Sequence, residues 1–212
     1  RYFVMKKSKR IKKSNSWKIK QHRDQFFKKS KTLGYRSRAS FKLIELNKKY
    51  KFIKNNTNLL DLGSYPGGWA QVAIKTITKG KIMSVDIKDM KPLKYVKFLK
   101  GDITEKETKF AIIKYFKSNL DVIISDMAAD TTGNKSLDSI RTNQLCANII
   151  NFSKETLKPK GVLVSKLFMG EDFIEVKNLA KSIFQKVNFY KPESSRKESK
   201  ETYLHCKILK TL

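Results

Sequence analysis

The chain has 212 residues, 40% of them hydrophobic, and a formal net charge of +28. That length supports one domain with a full core, and no apolar run approaches the roughly 18 residues of a membrane helix. Cys146 and Cys206 form no C-x-x-C pair, which argues against a zinc site or a disulfide framework and for a reducing compartment, cytoplasm or organelle, rather than secretion.

The charge is unevenly placed. Residues 1–54 carry 20 Lys and Arg against only Asp24 and Glu45. An A/T-rich genome inflates lysine everywhere, but it does not explain this near absence of acids or the arginines Arg36 and Arg38. Concentrated positive charge favours a polyanion, because Lys and Arg release condensed counterions from phosphates. Residues 1–20 read as a basic arm, either the remainder of an organelle transit peptide or an RNA-binding segment, without the apolar h-region of a secretory signal. Residues 21–212 read as a single domain. His22 and His205, distant in sequence, read as solvent or core residues.

In chain order, residues 24–33 predict a short helix ended by Gly34. Residues 40–50 predict a second, with Phe41 and Ile44 on its apolar face and Lys42 pointing elsewhere. Alternation then begins. Strand-like runs fall at 58–62, 81–86, 97–100, 120–125 and 161–167, and helix-like segments at 69–76, 104–116, 139–157 and 172–184. That order predicts an α/β fold, a parallel sheet with helices on both faces. Residues 186–190 and 202–209 are strand-like with only a loop between, which predicts an antiparallel pair.

The first strand runs into Asp61-Leu62-Gly63-Ser64-Tyr65-Pro66-Gly67-Gly68-Trp69. Glycines there let backbone approach a ligand, and Pro66 stiffens the turn. A turn at the end of the first strand of an α/β sheet builds a nucleotide-type pocket. The dinucleotide fingerprint G-x-G-x-x-G is absent, so a single nucleoside suits the pocket better than a pyrophosphate. Asp86 closes the second strand, where an acid accepts ribose hydroxyl protons. Asp102 follows the third and is placed to accept from an adenine amino group. Asp126 ends the fourth at the same sheet edge. Such carboxylates suit a sulfonium cation; each also reads as a helix cap or turn residue. Lys166 follows the apolar run Gly161-Val162-Leu163-Val164 at a strand end.

Together with Tyr35-Arg36-Ser37-Arg38-Ala39-Ser40-Phe41-Lys42-Leu43, Ser125-Asp126-Met127-Ala128, Ser165-Lys166-Leu167-Phe168, and Pro192 to Arg196 followed by Glu201-Thr202-Tyr203, these motifs resemble the FtsJ-type large-subunit ribosomal RNA ribose 2′-O-methyltransferases over residues 17–210. The resemblance implies a Rossmann-like, S-adenosylmethionine-dependent methyltransferase fold with a mostly parallel seven-stranded sheet and a C-terminal antiparallel hairpin. It implies a catalytic tetrad of Lys42, Asp126, Lys166 and Glu201. It maps cofactor contacts onto Gly67, Trp69, Asp86, Asp102 and Asp126, with Gly63 in the same turn, and it involves no metal. The implied partner is ribosomal RNA or the large ribosomal subunit, met by a monomer away from membranes. Two departures stand out: Ala129-Asp130 replaces the usual Pro-Asn, and Met169 stands where glutamine is common.

The tetrad makes chemical sense by itself. A ribose hydroxyl is a poor nucleophile, whereas the methyl of a sulfonium is already activated, so the enzyme must align the two and manage one proton. Lysine serves as a base when burial and a second cation lower its pKa, and carboxylates oppose that shift. Lys166 is the expected base, with Lys42 and Glu201 holding ribose and lysine in place. The arm, Arg36, Arg38, Arg141, Arg196 and Lys197 are the expected phosphate contacts. Tyr35, Phe41 and Tyr203 are candidates to stack on a splayed base, with core burial the default for Phe41. Three other readings share some features: a tRNA or cap 2′-O-methyltransferase, a non-catalytic RNA-binding assembly factor, and a Rossmann oxidoreductase. The intact tetrad speaks against the second, the missing fingerprint against the third.

Overall fold

The structure, a computed structural model, describes residues 24–210. The basic arm and His22 lie outside the described residues. Helix α1 (Gln25–Thr32) starts at Asp24, whose carboxylate accepts the Phe26 and Phe27 amides at 3.0 and 3.2 Å. That satisfies two of the four amides a helix start leaves open. Helix α2 (Ser40–Tyr50) buries Phe41, Leu43 and Leu46.

Strand β1 (Leu59–Leu62) is buried at every position, as a central parallel strand covered on both faces must be. After it come α3 (Gly68–Ala73), β2 (Ile82–Asp86), β3 (Val96–Lys100), α4 (Lys106–Phe116) and β4 (Leu120–Ser125). The chain ends with α5 (Lys135–Thr156), β5 (Leu157–Phe168), α6 (Phe173–Ile183), β6 (Phe184–Tyr190) and β7 (Glu201–Leu209). The sheet order is β3-β2-β1-β4-β5-β7-β6. The first five strands run parallel, and β7 slots antiparallel between β5 and β6. The expected seven-stranded sheet and terminal antiparallel hairpin are therefore found.

Two differences from the sequence reading have local causes. Helix α5 begins at Lys135 rather than 139, because Asn134 caps it through the Ser136 and Leu137 amides. Strand β5 reaches back to Leu157, which pairs with Leu120 across a register shift. One core cluster lies under α4, α5 and α6 around Ile112, Phe116, Ile150 and Ala180; the other lies under α2 and α3 around Leu43, Trp69 and Tyr203. Removing a fully buried leucine such as Leu60 costs about 2–5 kcal/mol. Among the described residues no helix is long and apolar enough to cross a membrane, and no group of three or more His, Cys, Asp or Glu could hold a metal ion. Cys146 and Cys206 are free and buried.

Candidate active site

The turn after β1 is shaped by two glycines with positive φ, Gly63 at 70° and Gly67 at 107°. A Cβ on Gly63 would meet Met127 Cγ at 2.3 Å, so only glycine lets the first and fourth strand ends approach this closely. Arg36 fastens the turn from outside: Nη1 donates to the Pro66 and Lys91 carbonyls at 3.2 and 2.6 Å, and Nη2 to that of Pro92 at 2.8 Å.

Beyond the turn a cleft of about 540 Å³ opens along the carboxyl ends of the strands. Gly63, Asp86, Asp102, Asp126 and Asp130 line it, with Tyr65 and Ile87 offering exposed apolar surface. Asp86 accepts the Tyr65 and Lys88 amides, both at 2.8 Å. Asp102 accepts from the amide and hydroxyl of Thr104, both at 2.8 Å. The turn role and the cleft-facing position thus coexist in both acids. Gly67 and Trp69 are not among the cleft-lining residues. The Trp69 indole is buried, donates to the Ala39 carbonyl at 2.8 Å and lies 5.8 Å from the Tyr203 ring.

Next to the cleft the four tetrad side chains meet as two ion pairs. Lys42 Nζ lies 2.8 Å from Glu201 Oε1 and donates to Oε2 at 3.0 Å. Lys166 Nζ lies 2.7 Å from Asp126 Oδ1 and donates to the Asp126 backbone carbonyl at 2.7 Å. The β5–β7 register places Lys166 opposite Tyr203 and Phe168 opposite Glu201. The Tyr203 hydroxyl donates to Asp126 Oδ1, and Lys42 Nζ sits 5.7 Å from the centre of the Tyr203 ring.

Burial acts to raise the pKa of Asp126, but Lys166, Lys42 and the hydrogen bonds from Lys166 and Tyr203 outweigh it and hold the carboxyl below its ordinary range. Glu201 follows the same pattern: burial pushes up, and Lys42 with Lys166 pulls further down. Both acids are therefore carboxylates at neutral pH. Asp61, one layer below, behaves oppositely. Burial pushes it up to about 7, with Asp126 and Asp86 adding to the effect and the Ser84 hydrogen bond opposing it.

Tyr203, which the sequence reading takes as a ring for stacking on a base, lies against the tetrad instead. It is fully buried and bonded to Asp126, so it is not presented to a base; Tyr35 and Phe41 are buried as well. The available signal was strand period: Tyr203 lies two residues past Glu201, hence on the same sheet face. Asn143 went unnoticed. It brackets the end of β5, donating to the Phe168 carbonyl at 3.0 Å and accepting the Phe168 amide at 2.8 Å. Of the expected phosphate contacts, Arg38 turns inward to Asp24 and the Ser194 carbonyl. Arg141, Arg196 and Lys197 are exposed. Arg141 also donates to the Asp130 carbonyl at 3.2 Å, and Arg196 Nε lies 3.8 Å from Asp24.

A family profile described as FtsJ-like methyltransferase matches residues 35–209. The chain is similar to two proteins named Ribosomal RNA large subunit methyltransferase E. That of Pelagibacter ubique is 44% identical over 197 residues, 93% of this chain and 97% of the relative. That of Rickettsia bellii is 40% identical over 207 residues, 95% of this chain and 91% of the relative. The crystal structure of a Plasmodium falciparum protein described as a ribosomal RNA methyltransferase superposes with a TM-score of 0.74 at 34% identity, covering 82% of this chain and 98% of that one.

Proposed function

Because this chain belongs to the FtsJ-like methyltransferase family, we propose that it methylates the 2′-hydroxyl of a ribose in large-subunit ribosomal RNA, with S-adenosylmethionine as cofactor. The observation that carries this reading is the meeting of the Lys42–Glu201 and Lys166–Asp126 pairs beside an acid-lined cleft at one sheet edge. Two lysines held this way have a use in aligning a hydroxyl and moving its proton; a binding-only protein has none.

The cleft fits the cofactor. Its volume suits a nucleoside with an amino-acid tail, and its carboxylates favour a ligand carrying positive charge. Asp86 and Asp102 would hold the ribose and base, Ile87 and Tyr65 would cover the base, and the glycine turn would admit the tail. Bound there, S-adenosylmethionine supplies a methyl group already activated by its positive sulfur. The protein supplies alignment and a proton acceptor. Lys166 Nζ would orient the 2′-hydroxyl and, as the free amine left once its own proton has gone to solvent, would take the hydroxyl proton as the carbon–sulfur bond breaks and the carbon–oxygen bond forms. Asp126, itself fixed by Tyr203, keeps Lys166 in place. Glu201 anchors Lys42, whose amine holds the ribose.

Arg141, Arg196 and Lys197, with the basic arm, are the phosphate contacts in this reading, while Arg36 and Arg38 brace the site from behind. The protein acts as a monomer on ribosomal RNA or the large subunit, in a reducing compartment, cytoplasm or mitochondrion, that suits two free, buried cysteines. The test is transfer of radiolabelled methyl groups onto large-subunit ribosomal RNA fragments, with 2′-O-methylation mapped on total RNA with and without the protein. A mark that appears on transfer RNA or on a base overturns the assignment of substrate. RNA binding without transfer overturns the enzyme.

A further inference from the structure

The segment between β6 and β7, residues 191–200, contains neither helix nor strand, yet it delivers Glu201 to Lys42. It is held at both ends. Lys191 Nζ donates to the Lys197 and Ser199 carbonyls at 3.1 and 2.6 Å, which closes the loop on itself, and the Met169 amide donates to the Lys200 carbonyl at 2.9 Å. Its middle is held by α2. Glu45 Oε2 accepts the Glu193 amide at 2.6 Å, and Oε1 accepts the Ser194 amide at 3.0 Å. Arg38, just before α2, grips the same turn through the Ser194 carbonyl. Ser194 is fully buried at this contact, and Ser195 nearly so.

Glu45 stands three residues after Lys42 on α2, and residues at that spacing share a helix face. One face of one helix therefore holds two parts of the same approach: Lys42 binds the carboxylate of Glu201, and Glu45 binds the backbone that leads to it. A carboxylate with an amide on each oxygen is a charge-assisted, directional contact.

We propose that Glu45 is a positioning residue for methyl transfer, clamping residues 193–194 to α2 so that Glu201 meets Lys42 in the geometry the reaction needs. The kinetic part rests on the proposed function; the clamp itself does not. Loss of a tether of this kind misplaces a reacting group by a fraction of an ångström to an ångström, which costs rate rather than binding.

The test is Glu45→Gln in the full-length protein. Glutamine keeps the size, but it offers one acceptor and turns an N–H against the second amide. The expected result is a fall in kcat of about tenfold to a hundredfold, with KM for RNA and for the cofactor within about twofold of the parent. In a Glu201→Gln background the same change adds less than about twofold, because the clamp acts through Glu201. Hydrogen exchange at the Glu193 and Ser194 amides speeds up, while exchange at Leu163 in β5 does not. The carboxyl of Glu201, followed by carbon-13 NMR, titrates closer to its ordinary range. If Glu45→Gln does not fold, Glu45→Asp keeps the charge on a shorter reach and is expected to show the same pattern. Parental kcat in a folded variant, or an equal loss with and without Glu201→Gln, overturns the proposal. If the parent protein transfers no methyl group, the functional reading fails, and unchanged amide exchange with unchanged Glu201 titration in Glu45→Gln then overturns the clamp independently.

Discussion

Asp102 is fixed by Thr104, two positions along the chain, and Asp86 by Lys88, two along, and by the Tyr65 amide, 21 residues before it, so these carboxylates are set by turns and by the pairing of neighbouring strand ends. Lys42 and Glu201 are 159 residues apart, and Tyr203 and Asp126 are 77 apart, so the tetrad exists only once the sheet has closed. In the proposed reading the same sheet edge carries a cofactor half set mostly by short-range contacts and a catalytic half built from long-range pairs. The cofactor half should tolerate loosening elsewhere better, because its acids are held over at most 21 residues of sequence. The catalytic half should not.

The largest effect that would break this comparison is on rate. Lys166→Ala is expected to lower kcat by about 10²- to 10⁴-fold, while calorimetry finds the cofactor bound as in the parent. Near-normal transfer would remove Lys166 from the chemistry, and lost cofactor binding would show that the two halves are not separable.

Asp61 sharpens the comparison, because its motif is local and its charge state is not. Its folded pKa of about 7 lies above its ordinary 3.8. An acid raised in this way contributes stability that is fully present below 3.8 and is lost as pH rises to about 7. Asp126 and Glu201 have the opposite sign. Their pKa values are depressed, so their contribution is present above the ordinary carboxylate range and is lost as pH falls through the depressed values. Asp61→Asn, which keeps an acceptor for Ser84, should therefore gain stability over the parent between pH 4 and 7, by roughly 4 kcal/mol at 1.36 kcal/mol per unit. Thermal melts across that range measure it. Parallel curves for the two proteins would mean that Asp61 is charged at its site.

A smaller effect belongs to the cofactor half. Asp86→Asn should raise the cofactor dissociation constant about tenfold, read by calorimetry, with kcat at saturation close to the parent. A collapse of kcat at saturation would tie this acid to the tetrad. The smallest effect lies outside both halves. Replacing Arg196 and Lys197 by alanine should weaken RNA binding equally across sequences and reduce the salt slope of affinity by about one per residue. An unchanged slope would place the RNA elsewhere.

What could be read in advance follows the same division. The strand ends, the acids that follow them and the glycine turn were legible because each depends on a few neighbouring residues. The helix start at Asn134 was missed although a capping residue was in view, since the apolar pattern strengthens only later. Tyr203 was seen as a ring for stacking, and only pairing with β5 turns it onto Asp126. Arg38 looked like a surface cation, because nothing in its segment reveals that residue 194 will fold back over it. Glu45 gave no signal, since its two partners lie 148 and 149 residues away.

The order of residues by itself determined an alternating α/β domain, a glycine-rich turn after its first strand and a row of carboxylates along one edge, because periodicity and turn chemistry act over a handful of neighbours. Tertiary structure decided which lysine meets which acid, which carboxylates stay ionised and which arginines turn inward. Burial and ion pairing depend on groups that only the closed sheet brings within reach.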